Sequence, residues 1–130
     1  MPAHSSFDYA TVRVVPRVER GEFINAGVIL YCRTLEFLGA RIALDRARLA
    51  ALDPAVDMDE VALALGNITL VCDGDPRAGP IARLHQSERF HWLVAPRSTI
   101  TQTSPVHSGL SEDPAAELDR LLKQMVLLPG

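Results

Sequence analysis

Between residues 7 and 15, Ala10, Val12 and Val14 alternate with Tyr9, Thr11, Arg13 and Val15, a period of two rich in β-branched side chains that predicts a strand. Pro16 cannot donate to a ladder and ends it; residues 17–22 then read as a charged hairpin connection closed by Gly21. Residues 23–32 are almost continuously apolar, the pattern of a central strand buried on both faces, yet Asn25 and Gly27 lie inside it. A glycine at such a place predicts a bulge or a close approach of backbone. A third short strand is expected at 37–44, then a short helix at 45–52 that Pro54 stops.

Beyond residue 56 the period lengthens. Asp57 followed three residues later by Glu60 has capping-box spacing, the first carboxylate taking a free amide hydrogen and the second reaching back. Val61, Leu65, Ile68 and Cys72 then fall on one face of a core helix, which Asp73-Gly74-Asp75-Pro76 terminates. Residues 79–86 predict a single helical turn packed by Ile81 and Leu84. Phe90, Trp92 and Val94 alternate with His91, Leu93 and Ala95, which predicts a strand. Residues 99–106 are rich in Thr and predict an edge strand or loop, because Pro105 bars a central ladder position. Ser111 or Asp113 caps a last helix begun by Pro114, with a stripe of Leu118, Leu121, Leu122 and Met125. The expected architecture is α+β: a single domain over residues 7–128, a small, mainly antiparallel sheet packed with two main helices, and a disordered stretch at 1–6.

Composition narrows the function more than the fold. At 130 residues, with 48% hydrophobic and 22% charged side chains, the chain is the size and make-up of one folded domain. A net charge of -3 gives no long-range attraction for phosphate backbones or anionic lipid. The last helix carries only Arg120 and Lys123 as cations, too few for a DNA-recognition helix, so a nucleic-acid partner is not expected. Cys32 and Cys72 stand alone in apolar surroundings and read as reduced, buried small hydrophobes. With no apolar run near the roughly 18 residues of a spanning helix and no signal-peptide pattern at the start, a cytoplasmic location and no membrane partner are expected.

Two polar stretches carry the candidate chemistry. The first is Arg17, Glu19, Arg20, Glu22 and Asn25, set between two apolar strands. Its arginines offer planar forks suited to phosphate or carboxylate, and an amide inside an apolar strand must find a hydrogen-bond partner. The alternative is a solvated loop and an Asn that ties down neighbouring backbone at a bulge. The second runs from Arg89 through Phe90, His91 and Trp92 to Arg97, Ser98, Thr99, Gln102, Ser104 and His107. Cations beside aromatic rings and hydroxyls suit an anionic ligand or a partner's acidic face, whereas the plainer reading makes Phe90 and Trp92 core and the rest surface.

Other chemistry has less to offer. Asp73 and Asp75 flank Gly74 as a helix-ending turn, not a calcium loop, and the four histidines lack paired metal-ligand spacing. There is no G-x-S-x-G elbow and no phosphate-cradling glycine motif. No metal and no cofactor are expected.

The run Arg17-x-Glu19-x-x-Glu22-x-x-Asn25-x-Gly27-Val28, together with residues 9–15 and the stretch Arg89-Phe90-x-Trp92 with Arg97, Ser98, Thr99, Gln102 and His107, resembles the bacterial proteins catalogued as domain of unknown function 3037. The resemblance covers the chain from about Phe7 to the last helix. It implies no established activity. Members are often encoded beside a HipA-like kinase, which implies a partner or regulator of such a kinase. The first functional reading is therefore a non-enzymatic binding or regulatory module that docks a partner protein with both polar stretches as one surface; a homodimer is also compatible. The alternative is a small enzyme or binder acting on a phosphorylated or nucleic-acid ligand, with Arg17, Arg20, Arg89 or Arg97 holding the anion and Glu19, Glu22 or His107 as acid or base.

Overall fold

Strand β1 (Ser5–Val14) is the hub of an antiparallel sheet in a computed structural model that describes residues 4–129. It pairs on one side with β2 (Ile24–Cys32), Val12 standing opposite Gly27 and Arg13 opposite Asn25. One residue of β2, Ala26, is left over between these two pairs, so the bulge falls where Asn25 and Gly27 interrupt the apolar run. A Cβ on Gly27 would lie 2.6 Å from Ile42 Cδ1 and 2.7 Å from the Arg41 carbonyl oxygen, so the close backbone approach is there as well. Those neighbours belong to β3 (Phe37–Ile42) and its register with β2.

The other side of β1 is shared by two short strands, β4 (Thr101–Thr103) and β5 (His107–Ser111). Thr103 faces Val12 and His107 faces Tyr9, so three residues, Ser104 to Val106, occupy the space opposite two. The edge expected at 99–106 is thus present but interrupted at Pro105, which has no amide hydrogen to donate. Ser104 bridges the break: its Oγ accepts the Thr11 amide at 2.9 Å, and its own amide donates to the Thr11 carbonyl at 2.9 Å.

Helices cover both faces. Val12, Val14, Ile29, Tyr31 and Leu38 pack under α1 (Arg46–Leu52), α2 (Met58–Asp73) and α3 (Gln86–Val94). Phe7, Val28, Leu30 and Cys32 pack under α4 (Pro114–Met125). Strand β2 is therefore buried from above and below, as its continuous apolar run requires. Helix starts follow the capping residues: Asp45 accepts from the Arg48 amide, Asp57 from the Asp59 and Glu60 amides, and Asp113 from the Ala116 amide just before Pro114. Among the described residues the return bond from Glu60 is not formed. Gly74, at φ +66°, ends α2 in the left-handed conformation. The architecture is α+β, a five-stranded antiparallel sheet with four helices.

Three expectations change. Residues 90–95 are not a strand but the second half of α3, whose buried side chains are Arg89, Phe90 and Leu93. A six-residue window lets Phe90, Trp92 and Val94 mimic a period of two, whereas the burial follows a three-to-four-residue spacing. The single turn expected at 79–86 is a 3₁₀ turn at Pro80–Arg83, and Gln86 already opens α3. The disordered stretch expected at 1–6 falls partly outside the described residues, while Ser5 and Ser6 pair with Ser111 and Leu110 in the sheet. Both cysteines are free and buried. Among the described residues no helix is long and apolar enough to cross a membrane.

Candidate functional site

The hairpin connection between β1 and β2 is anchored at its start. Arg17 precedes a 3₁₀ turn at Val18–Arg20 that Gly21 closes at φ +68°. Its Nε lies 3.5 Å from Asp53 Oδ2, and the nearly buried Asp53 also accepts the Ala55 amide at 3.0 Å. Arg17 therefore ties the hairpin to the loop that follows α1. Glu19 sits exposed on the turn. Arg20 donates to Glu22, a hydrogen bond that raises the guanidinium further above its ordinary value.

Asn25 occupies the opposite layer. Its Nδ2 donates to the Met125 carbonyl at 3.1 Å, fastening the end of α4 to the sheet. Its Oδ1 is buried without a partner among the described residues, and so is the Nε of Arg13, the residue across the strand pair. The Arg13 guanidinium rests over the ring of Phe23, 4.3 Å from the centroid. On its other flank Arg13 faces Gln102 of β4, giving a cross-strand row of Asn25, Arg13 and Gln102.

The second polar stretch divides. Arg89 points inward: Nη1 donates to the carbonyls of Val71 and Cys72 at 2.7 and 2.8 Å, and Nε to Leu84 at 3.0 Å. Val71 and Cys72 belong to the last turn of α2 and Leu84 follows the 3₁₀ turn, so Arg89 caps the end of one helix from the side of another and ties it to the loop between them. The neighbouring Cys72 thiol is pushed up to about 12, chiefly by burial and secondarily by Asp73. Trp92 turns outward, 43% exposed, with the Arg97 guanidinium 4.4 Å from its ring centroid. Arg97 also donates to the Trp92 carbonyl and, at 3.4 Å, to that of Leu93, closing the end of α3. Gln102 Nε2 donates to the Thr99 carbonyl at 3.0 Å. His107 opens β5, its ring 5.5 Å from that of Tyr9.

Trp92, Arg97 and Gln102 line one groove of about 210 Å³, with Asn67 and Ile68 of α2 and Thr101 and Thr103 of β4. The Val15 amide donates to the Ile100 carbonyl at 2.7 Å, so this groove and the start of the Arg17–Glu22 hairpin lie at the same end of the sheet. Asn25 shares that end but belongs to the α4 layer. Arg89 is interior. His107 lies farther along, opposite Tyr9, about 17 Å from Val14 by strand rise. Arg13 and Asp53 complete this arrangement and were not singled out by pattern. Arg13 reads as one outward residue of a strand, and Asp53 as a turn residue before Pro54. Chemically, the groove offers an aromatic face, a stacked cation, amides and hydroxyls, a set suited to holding a surface.

No curated protein and no solved structure matches the chain. The match to a family model is broad, spanning residues 9–126, from the middle of β1 to the residue after α4. The span includes the bulge, the groove and the Arg89 cap, and by it the chain belongs to the protein family of unknown function DUF3037.

Proposed function

We propose that this protein is a binding or regulatory module that docks a partner protein through the end of the sheet where β1 finishes. The observation that carries the reading is the half-exposed Trp92 beneath Arg97 on the wall of the groove. Tryptophan and arginine are the residue types that dominate protein–protein hot spots, and this pair is held rigid by the Arg97 bonds to the last carbonyls of α3. Arg17 and Arg20 extend the same end as a charged rim. A HipA-like kinase is the partner proposed, on the family resemblance.

The alternative, an enzyme or binder for a phosphorylated or nucleic-acid ligand, asks four arginines to hold an anion. Each already has an intramolecular partner: Asp53 for Arg17, Glu22 for Arg20, three carbonyls for Arg89, and two carbonyls for Arg97. The docking reading needs no such release. It is tested by titrating a HipA-like kinase with wild type, Trp92→Ala and Arg17→Ala. A loss of about 2 kcal/mol of binding free energy for Trp92→Ala, with the folded state and its cooperative unfolding retained, is the expected result. Equal affinity of all three for the kinase rejects this surface.

A further inference from the structure

A second cavity, of about 380 Å³, lies between β1, the β2–β3 turn and the side of α3 that carries Ser87, Phe90 and His91. Asp8, Arg33, Ser87 and His91 reach it, and Tyr31 and Phe90 form its floor with ring centroids 5.4 Å apart. Its volume lies in the range of small-molecule sites, roughly 300–1,000 Å³. A neighbouring cavity of about 530 Å³ shares the Tyr31 and Arg33 wall.

The state of its charges distinguishes this cavity. Asp8 Oδ1 accepts from Ser108 Oγ at 2.6 Å, which fixes the carboxylate and leaves Oδ2 without a protein donor among the described residues. Arg33, on the turn after β2, has neither an ion-pair partner nor a side-chain hydrogen bond among the described residues. Two opposite charges thus line one cavity without pairing with each other. A simple anion entering it meets Asp8, and a simple cation meets Arg33; a molecule carrying both charges satisfies both.

We propose that this cavity binds a small zwitterion of the α-amino-acid class. The ligand carboxylate takes the Arg33 fork, the ammonium donates to the free Asp8 oxygen, and the side chain lies on the Tyr31–Phe90 floor. The lining of the site shares no residue with the docking groove, and the site stands independently of it.

Calorimetric titration of the whole protein with each of the twenty L-amino acids, up to about 10 mM, tests the proposal. At least one is expected to bind, and its methyl ester and N-acetyl derivative to bind about tenfold or more weakly, since each removes one charge-assisted hydrogen bond. Arg33→Gln and Asp8→Asn are expected to weaken binding by a similar factor; the asparagine retains an acceptor for Ser108. No binding by any amino acid, equal binding by the ester and N-acetyl forms, or undiminished binding by both variants overturns the proposal.

Discussion

Helix α3 borders two regions that look alike in composition and differ in the state of their polar groups. Past its C-terminus Arg97 is tied to two carbonyls and stacked on Trp92, while within the helix Arg89 is buried against the end of α2. On the side of α3 that carries Ser87, Phe90 and His91, Arg33 and His91 face a cavity and make no side-chain hydrogen bond among the described residues. Arginine and hydroxyl residues are common to both regions. The lesson is that the same side chains serve the fold where a buried carbonyl lies within reach, and are free for a ligand where none does.

The sharpest way to break this contrast is at Arg89. Arg89→Ala removes the guanidinium donor from the Val71, Cys72 and Leu84 carbonyls, and a loss of about 3 kcal/mol is expected in urea denaturation. A loss below about 1 kcal/mol would mean that water replaces the guanidinium and that Arg89 is not structural.

Next comes the thiol beside it. The folded state holds the Cys72 proton up to about 12, while the unfolded chain releases it near 9.0, so the unfolded state gains from ionisation first and stability falls as pH rises above 9. Wild type should lose up to about 1.4 kcal/mol per pH unit more than Cys72→Ala in this window. Parallel stability curves for the two proteins would remove the buried thiol from the account.

A smaller effect is expected at the groove. Arg97→Ala should cost about 1 kcal/mol through the lost α3 closure and the lost stack on Trp92, read as a lower denaturation midpoint. The smallest belongs to the other cavity: Arg33→Gln, with no bond to lose, should change stability by less than about 0.5 kcal/mol. A destabilisation at Arg33 as large as that at Arg97 would erase the distinction between the two regions.

Much of the fold was legible because it rests on local signals. Asn25 and Gly27 mark the bulge because an amide and a residue without a side chain stand out in an apolar strand, and Asp113-Pro114 fixes the start of α4 within one residue. Helix α3 was not legible as a helix, because a short window cannot separate a period of two from one of 3.6 when both its faces carry large side chains. Strand β5 has no hydrophobic alternation at all and exists through its backbone pairing with β1. The candidate site was harder still. The role of Arg89 depends on main-chain carbonyls of Val71, Cys72 and Leu84, and that of Arg17 on Asp53 beyond two intervening strands. Main-chain acceptors leave no trace in residue identity, so Arg89 and Arg97 look interchangeable until the fold assigns them.

The break at Pro105 has a bearing on solubility. The outer margin of the sheet is divided into lengths of three and five residues, set out of step by one, and contains no Asp, Glu, Lys or Arg from 101 to 111. A foreign extended chain that began pairing along β5 would meet a missing donor and a shifted register before reaching β4. Fibre-like growth from this margin is therefore stopped by geometry, where other proteins rely on charge.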